Sequence, residues 1–164
     1  MQPYDRVVVV ADWRADARAV TTAVERRAAE SVAVFSLVVP AWLHGLDWIG
    51  DPYASRPCAH AQLETLRGLW AHAELPLVSA QVGDPDPLAA VGDAIDGWPA
   101  SEVLLVTHSA NPAAVHPFAI ARRIERATGL PTRRVPIGPR RARRERFAWI
   151  RRGGRHCTTD AALA

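Results

Sequence analysis

Polar side chains follow two of the buried strands that the sequence predicts. Asp12 comes directly after a run of valines in residues 6–11. A second polar group closes a later apolar run and consists of Thr107, His108, Ser109 and Asn111. Carboxylate, imidazole and hydroxyl groups can bind a small polar ligand or, with suitable geometry, serve as base and nucleophile. These residue types indicate a site wherever the fold brings the two groups together.

The chemistry of that site has three interpretations. In the first, Ser109 is a nucleophile and His108 its base, but adjacent residues rarely direct their side chains at each other and no G-x-S-x-G turn surrounds Ser109. In the second, Asp12, Trp13 and the polar group after the later strand line a non-catalytic pocket. In the third, the hydroxyls only satisfy backbone groups at a strand end and a helix start. The first is disfavoured, and the other two stay open.

The sequence indicates neither a metal site nor catalysis through a covalent bond to lysine. Four histidines flank two loops as pairs, namely His44 with His60 and His108 with His116, without cysteine or acid at metal-ligand spacing. The sequence therefore predicts no metal site. Cys58 and Cys157 lie far apart, which predicts free thiols in a reducing cytoplasm. The chain has no lysine, which excludes a P-loop and a Schiff base.

Buried strands and amphipathic helices alternate along the chain. We predict strands at residues 6–11, 31–39, 77–82, 103–107 and 132–137. Asp16 and Asp86 are the expected N-caps of the first and third helices. In the first helix, alanine and valine recur at helical spacing, and we expect the outer face to hold Arg18, Arg26 and Arg27. This alternation predicts a doubly wound α/β domain with a parallel sheet.

Charge divides the chain into a domain over residues 1–138 and an extension over residues 139–164. From residue 140 onward there are eight arginines against two acids, whereas the preceding part has a net charge of −3. The arginines clustered at the start of the extension are Arg140, Arg141, Arg143, Arg144 and Arg146. Together with the aromatic residues that follow, they could bind RNA or another polyanion. A solubilising tail, or an arm on a neighbour's acidic surface, is the simpler alternative.

The order of elements, Asp12 at the end of the first strand and the turn Gly83-Asp84-Pro85 resemble the universal stress protein family, over residues 6–138. The resemblance implies a five-stranded parallel sheet of order 3-2-1-4-5 and frequent homodimers. In the ATP-binding members, nucleotide lies over the carboxyl ends of strands one and four, and Asp12 matches their nucleotide-contacting acid. The tryptophans Trp13, Trp42 and Trp48 could then wall a pocket for adenine, or cover the core or a dimer surface.

The phosphate-binding glycines of that family are absent from this sequence. The ATP-binding members carry G-x-x-G, then nine residues, then G-[S/T]; the matching positions are Thr107, Ala110, Ile120 and Ala121. No glycine occurs at residues 98–128. We therefore expect no resident cofactor, and weak or no binding of ATP and AMP. The sequence predicts a non-catalytic, stress-associated or ligand-sensing bacterial protein, cytoplasmic and homodimeric, without a membrane segment. The alternatives are an RNA-binding module that uses the tail and, less favoured, a nucleotide hydrolase.

Overall fold

The computed structural model describes residues 4–43, 51, 53–108 and 117–137. Strands and helices alternate through these residues. The strands are β1 (Asp5–Ala11), β2 (Ala33–Pro40), β3 (Leu77–Gly83), β4 (Glu102–His108) and β5 (Thr132–Ile137). The helices are α1 (Ala17–Glu30), α2 (Arg56–His72), α3 (Pro87–Asp96) and α4 (Pro117–Thr128). None of these four described helices is both long and apolar enough to cross a membrane.

All five strands are parallel and form one sheet of order β3-β2-β1-β4-β5, which confirms the predicted fold class. The chain builds outward from β1 through β2 to β3, and then returns to the other side of β1 to add β4 and β5. The strand order therefore reverses between β1 and β4. In open sheets of this type, ligands bind in the crevice at the carboxyl ends of the two strands that flank such a reversal.

The valines of β1 are buried on both faces of the sheet. Val7 and Val9 pack into the apolar layer that α1 and α2 cover, and Val8 and Val10 pack into the layer beneath α3 and α4. Alternate residues of a strand point to opposite faces, so a continuous apolar run marks a strand covered on both sides. This arrangement confirms the interpretation of β1 as a doubly buried central strand.

Two helix starts agree with the caps predicted from sequence. The Asp16 carboxylate accepts a hydrogen bond from the backbone N–H of Ala19 at 3.0 Å, and Asp86 accepts from that of Leu88 at 3.0 Å. The helix α4 is followed by Gly129, whose φ of 70° lies in the left-handed region that glycine tolerates. The caps could be predicted because a short polar side chain at a helix start satisfies N–H groups that lack a helical partner.

The prediction that Arg27 faces solvent was wrong. Arg18 and Arg26 are exposed as expected, but Arg27 is only 5% exposed. The last turn of α1 lies over the amino ends of β1 and β4, where Asp5 and Glu102 supply carboxylates to its guanidinium. Helical spacing alone had assigned this position to the outer face, and the acids that compensate its charge come from distant parts of the chain.

Candidate functional site at the strand reversal

The sheet register brings Asp12 and Thr107 side by side. Ala11 of β1 pairs with Val106 of β4, and the backbone N–H of Asp12 continues this ladder by donating to the Val106 carbonyl at 3.0 Å. Both polar residues are buried, with exposures of 4% for Asp12 and 3% for Thr107. The fold thus places these two buried polar residues at neighbouring strand ends, at the reversal point.

Asp12 also organises the connection between β1 and α1. Its Oδ1 accepts a hydrogen bond from the backbone N–H of Arg14 at 2.9 Å, and its carbonyl accepts from that of Ala15 at 2.9 Å. An aspartate that accepts from the N–H two residues ahead forms an Asx turn, which sharply redirects the chain. One carboxylate oxygen therefore has a structural role, and any ligand would share the group with this turn.

Trp13 directs its indole toward the segment after β2. The Nε1–H donates to the backbone carbonyl of Trp42 at 2.9 Å, and the ring packs against the apolar layer beneath α1 and α2. The Arg14 guanidinium lies 6.0 Å from the ring centroid of Trp13. The indole thus links the β1–α1 and β2–α2 connections, while the backbone N–H of Asp12 bonds to β4.

Thr107 contacts Arg134, for which the sequence predicted no role in the site. The Nε–H of Arg134, on β5, donates to Thr107 Oγ1 at 3.1 Å, and the Arg134 side chain is half-buried. Because Arg134 pairs with Leu105 in the β4–β5 ladder, its side chain shares a face with Thr107, two residues further along β4. A cation therefore lies on the same strand end as the hydroxyl. Only the strand register, which the sequence does not contain, could have revealed this pair.

His108 is the last residue of β4, is half-buried and pairs with Ile137 of β5. Ser109 and Asn111, the other two residues proposed for this site, lie outside the described residues. So do Trp48 and the arginines of the extension, namely Arg140, Arg141, Arg143, Arg144 and Arg146. Their roles remain predictions. Within the part of the chain that the structure describes, no three histidine, cysteine or acidic side chains come together as metal ligands would.

A second cluster of charges lies at the opposite, amino end of the sheet. Arg27 donates to both oxygens of Glu102, at 2.8 and 3.2 Å, and to Asp5 at 2.7 Å. Its Nη1 also donates to the hydroxyl of Ser31 at 2.8 Å. The hydroxyl of Ser31, followed by the Arg27 guanidinium, lowers the pKa of the Asp5 carboxyl. The Glu102 carboxylate, followed by Asp5, raises the pKa of Arg27 despite its burial.

The neighbouring pair extends this cluster across the sheet edge. Arg133 at the start of β5 donates through both terminal nitrogens to the carboxylate of Glu30, at 2.6 and 2.8 Å. This contact lowers the pKa of Glu30 and raises that of Arg133. Arg27 and Arg133 are each paired with a carboxylate. These ion pairs therefore hold α1 against the starts of the strands, and they do not indicate a ligand site.

The strand order and the helices on both faces define a doubly wound α/β protein whose strand order reverses between β1 and β4. A solved structure of a universal stress family protein from Burkholderia pseudomallei is similar, with a TM-score of 0.52 and 18% identity, over 83% of this chain and 98% of that one. No family model matches the chain. No curated protein matches it either. The similarity establishes a universal-stress-protein-like fold.

Proposed function

We propose that this protein is a non-catalytic, stress-associated ligand sensor whose pocket lies at the carboxyl ends of β1 and β4. The observation that carries the proposal is the position of two buried polar residues, Asp12 and Thr107, directly after the last paired residues of β1 and β4 at the reversal point. Open α/β sheets bind ligands at this position. The fold similarity to a universal stress family structure supports the same location.

The ligand that suits this site is a small molecule with both donor groups and an anionic group, such as a nucleoside phosphate. The Asp12 carboxylate can accept from a ribose hydroxyl or an amino group, while Arg134 places a guanidinium beside Thr107. In this proposal, a side-chain cation substitutes for the backbone cradle that glycines would form. Because residues 98–128 lack glycine, the binding is expected to be weak.

Native mass spectrometry of the full chain with ATP, AMP and adenosine tests the proposal. Asp12→Asn retains an acceptor for the Arg14 N–H but removes the charge, so nucleotide affinity should fall about tenfold or more. Arg134→Gln should remove any preference for AMP over adenosine. Asp93→Asn is the matched control, because Asp93 is an exposed carboxylate on α3. Equal binding by Asp12→Asn and wild type, or no bound mass with any of the three compounds, would overturn the proposal for nucleotides.

A homodimer is part of the proposed function, as is a location in the cytoplasm. Size-exclusion chromatography with light scattering measures the first. Fractionation of cells that express the protein at its natural level measures the second.

A second candidate function is polyanion binding through the extension. The observation in its favour is the charge asymmetry, with eight arginines and two acids after residue 139. RNA binding of this type should weaken steeply with salt and disappear when Arg140, Arg141, Arg143, Arg144 and Arg146 are replaced by serine. Retained RNA binding in that variant would exclude the extension as its site. A nucleotide hydrolase, the least favoured candidate, requires turnover that both Asp12→Ala and His108→Ala abolish.

A further inference from the structure

A groove lies between α2 and the edge strand β3. Its volume is about 540 Å³, and its apolar and small lining residues are Gly68, Ala71, Leu75 and Leu77. A smaller groove of about 170 Å³ adjoins it along β3 and also has Leu77 in its wall. The larger volume is within the range of cavities that hold small molecules, so the groove can receive a large side chain.

Gly68 keeps this groove open. It is an exposed residue in the interior of α2, and a Cβ at this position would meet no atom within 4 Å. Apart from proline, glycine is the least favourable residue in a helix interior, and no close contact among the described residues requires it here. Because Gly68 lines the groove, a larger side chain would fill part of it. The glycine is explained if a side chain from elsewhere lies against α2 at this point.

Uncharged surface continues from the groove along β3. Val78 is 56% exposed and lines the smaller groove. The strand reads Leu-Val-Ser-Ala-Gln-Val-Gly and carries no charge, although it is one edge of the described sheet. Proteins usually protect an edge strand with charge or proline, or cover it with a helix or loop. A strand of this composition therefore indicates an edge that another segment covers.

The extension contains a segment with suitable side chains. Its large apolar residues that lie close together in sequence are Phe147, Trp149 and Ile150. Aromatic side chains gain the most from burial, and the indole N–H can still find an acceptor at the rim of an open groove. Tryptophan beside glycine also matches a large side chain with the point of the groove that has the most space.

The length of chain after β5 allows this segment to reach the groove. Ile137 ends β5, which is the sheet edge opposite to β3. Four strand spacings amount to about 19 Å, and the length of β3 adds about 23 Å at a right angle, so the direct distance is about 30 Å. Trp149 follows Ile137 by twelve residues, which span up to about 40 Å when extended.

Charge also favours the extension as the occupant. Arg67 is paired with Glu64 at 3.4 Å in the wall of the groove. Glu74 is exposed just after α2, and the carboxyl end of a helix carries a partial negative charge. This end of the groove is therefore negative, and the apolar segment is flanked by Arg146, Arg151 and Arg152.

We propose that the extension docks on its own domain, with Trp149 in the groove over Gly68 and Phe147 beside it along β3. The docked extension covers the uncharged edge strand. Its aromatic side chains have to leave the groove before they can stack on RNA bases, so docking opposes the second candidate function. The inference itself depends on neither ligand nor RNA, since docking is measured without them.

Limited trypsin digestion of the full chain, followed by mass spectrometry, tests the docking. Arg140 and Arg151 are each followed by another arginine, but only Arg151 adjoins the proposed docked segment. We expect cleavage after Arg151 to be about tenfold slower than after Arg140, because proteolysis follows the population of the open form. Gly68→Leu fills the groove and should remove most of this difference. Thr22→Leu, at an exposed position of α1, is the matched control and should be cleaved as the wild type is.

Loss of folding cannot imitate this result. Leucine favours a helix more than glycine does, so Gly68→Leu should not weaken the domain. Cleavage after Arg67, inside α2, reports unfolding and should stay slow while cleavage after Arg151 accelerates. Phe147→Ser with Trp149→Ser should accelerate it in the same way.

Three outcomes overturn the proposal. The first is equal cleavage after Arg140 and Arg151 in the wild type. The second is slow cleavage after Arg151 that persists in Gly68→Leu. The third is protection that increases with protein concentration, which would assign the groove to the extension of a second copy.

Disulfide cross-linking provides a second test that does not depend on a protease. Val78→Cys with Ile150→Cys is prepared in a chain that also carries Cys58→Ser and Cys157→Ser. Docking raises the effective concentration of the two thiols, so we expect them to cross-link about tenfold faster than Thr22→Cys with Ile150→Cys in the same chain. Equal rates in the two proteins would contradict the docking site.

Discussion

The guanidinium of Arg27 forms a bidentate ion pair with Glu102, with Nε to Oε1 at 2.8 Å and Nη2 to Oε2 at 3.2 Å. The pair joins the last turn of α1 to the start of β4, 75 positions later in the chain. Fork-to-fork pairing of this kind is geometrically specific and stronger than a single surface contact. Because Glu102 compensates its charge, Arg27 of α1 can be buried beside the apolar core.

Removing the Arg27 guanidinium should destabilise the protein strongly. Arg27→Met keeps most of the buried stem but leaves Glu102 without its partner, so we expect a loss of about 3 kcal/mol in the free energy of unfolding. Urea denaturation followed by circular dichroism measures it. Arg26→Met is the matched control, since Arg26 is exposed and the change should stay within about 0.5 kcal/mol. Equal effects of the two substitutions would contradict the role assigned to the pair.

Lowering the pH should lower the free energy of unfolding, because the carboxylates of Asp5 and Glu30 form ion pairs at the amino end of the sheet. The pKa values of Asp5 and Glu30 are lowered below their ordinary values of 3.8 and 4.5, so both carboxyls bind protons more readily in the unfolded chain. Their contribution is fully present above those ordinary values and is lost as the pH falls through the lowered ones. The raised pKa values of Arg27 and Arg133 matter only at strongly alkaline pH.

Unfolding measured from pH 7 down to pH 3 follows this loss. We expect the decline in stability to be shallower in Asp5→Asn combined with Glu30→Gln than in the wild type, because those groups no longer titrate. Asp93→Asn, on an exposed face of α3, should leave the profile unchanged. If the double variant and the wild type decline in parallel, other carboxyls govern the acid response.

Gly83 is required for the close approach of β3 and α3. A Cβ at this position would lie 2.6 Å from Ala90 Cβ and 2.9 Å from Val38 Cγ1, so one of these elements would have to shift. We expect Gly83→Ala to cost about 1–3 kcal/mol in unfolding free energy. Adding Ala90→Gly removes the nearest clash and should recover part of the loss. Gly92→Ala is the control, because a Cβ there meets nothing within 4 Å and should stabilise α3 by about 0.5–1 kcal/mol.

Asp12 should have separable structural and ligand-binding roles. Asp12→Ala removes the acceptor for the Arg14 N–H, so the Asx turn is lost, and we expect a destabilisation of about 1 kcal/mol. Asp12→Asn keeps that acceptor and should destabilise the protein less than Asp12→Ala does. Thermal and urea unfolding without nucleotide separate the two variants. Identical stability losses in the two variants would mean that the charge of Asp12, and not its Asx turn, contributes the stability.

Much of the architecture follows from local sequence pattern. Valine runs predicted the buried strands, and Asp16 and Asp86 predicted the caps, because these preferences act over one or two turns of chain. The position of Asp12 beside the later strand also followed, since parallel strands end at a common edge once β1 and β4 are neighbours. The observed strand bounds agree with the predicted ones to within two residues, and those of β5 are the same; the ends of helices and strands are where assignments vary most.

Other features depend on residues that are distant in sequence. Helical periodicity placed Arg27 on the outer face, yet Asp5 and Glu102 lie beneath it because α1 ends over the amino edge of the sheet. The contact between Arg134 and Thr107 arises from the β4–β5 register, and the edge positions of β3 and β5 arise from strand order. Residue preferences describe what a segment can form by itself, whereas charge compensation and edge exposure depend on which segments become neighbours. Only the tertiary arrangement decides those neighbours, because burying a charge is favourable only where a partner from elsewhere in the chain is held against it.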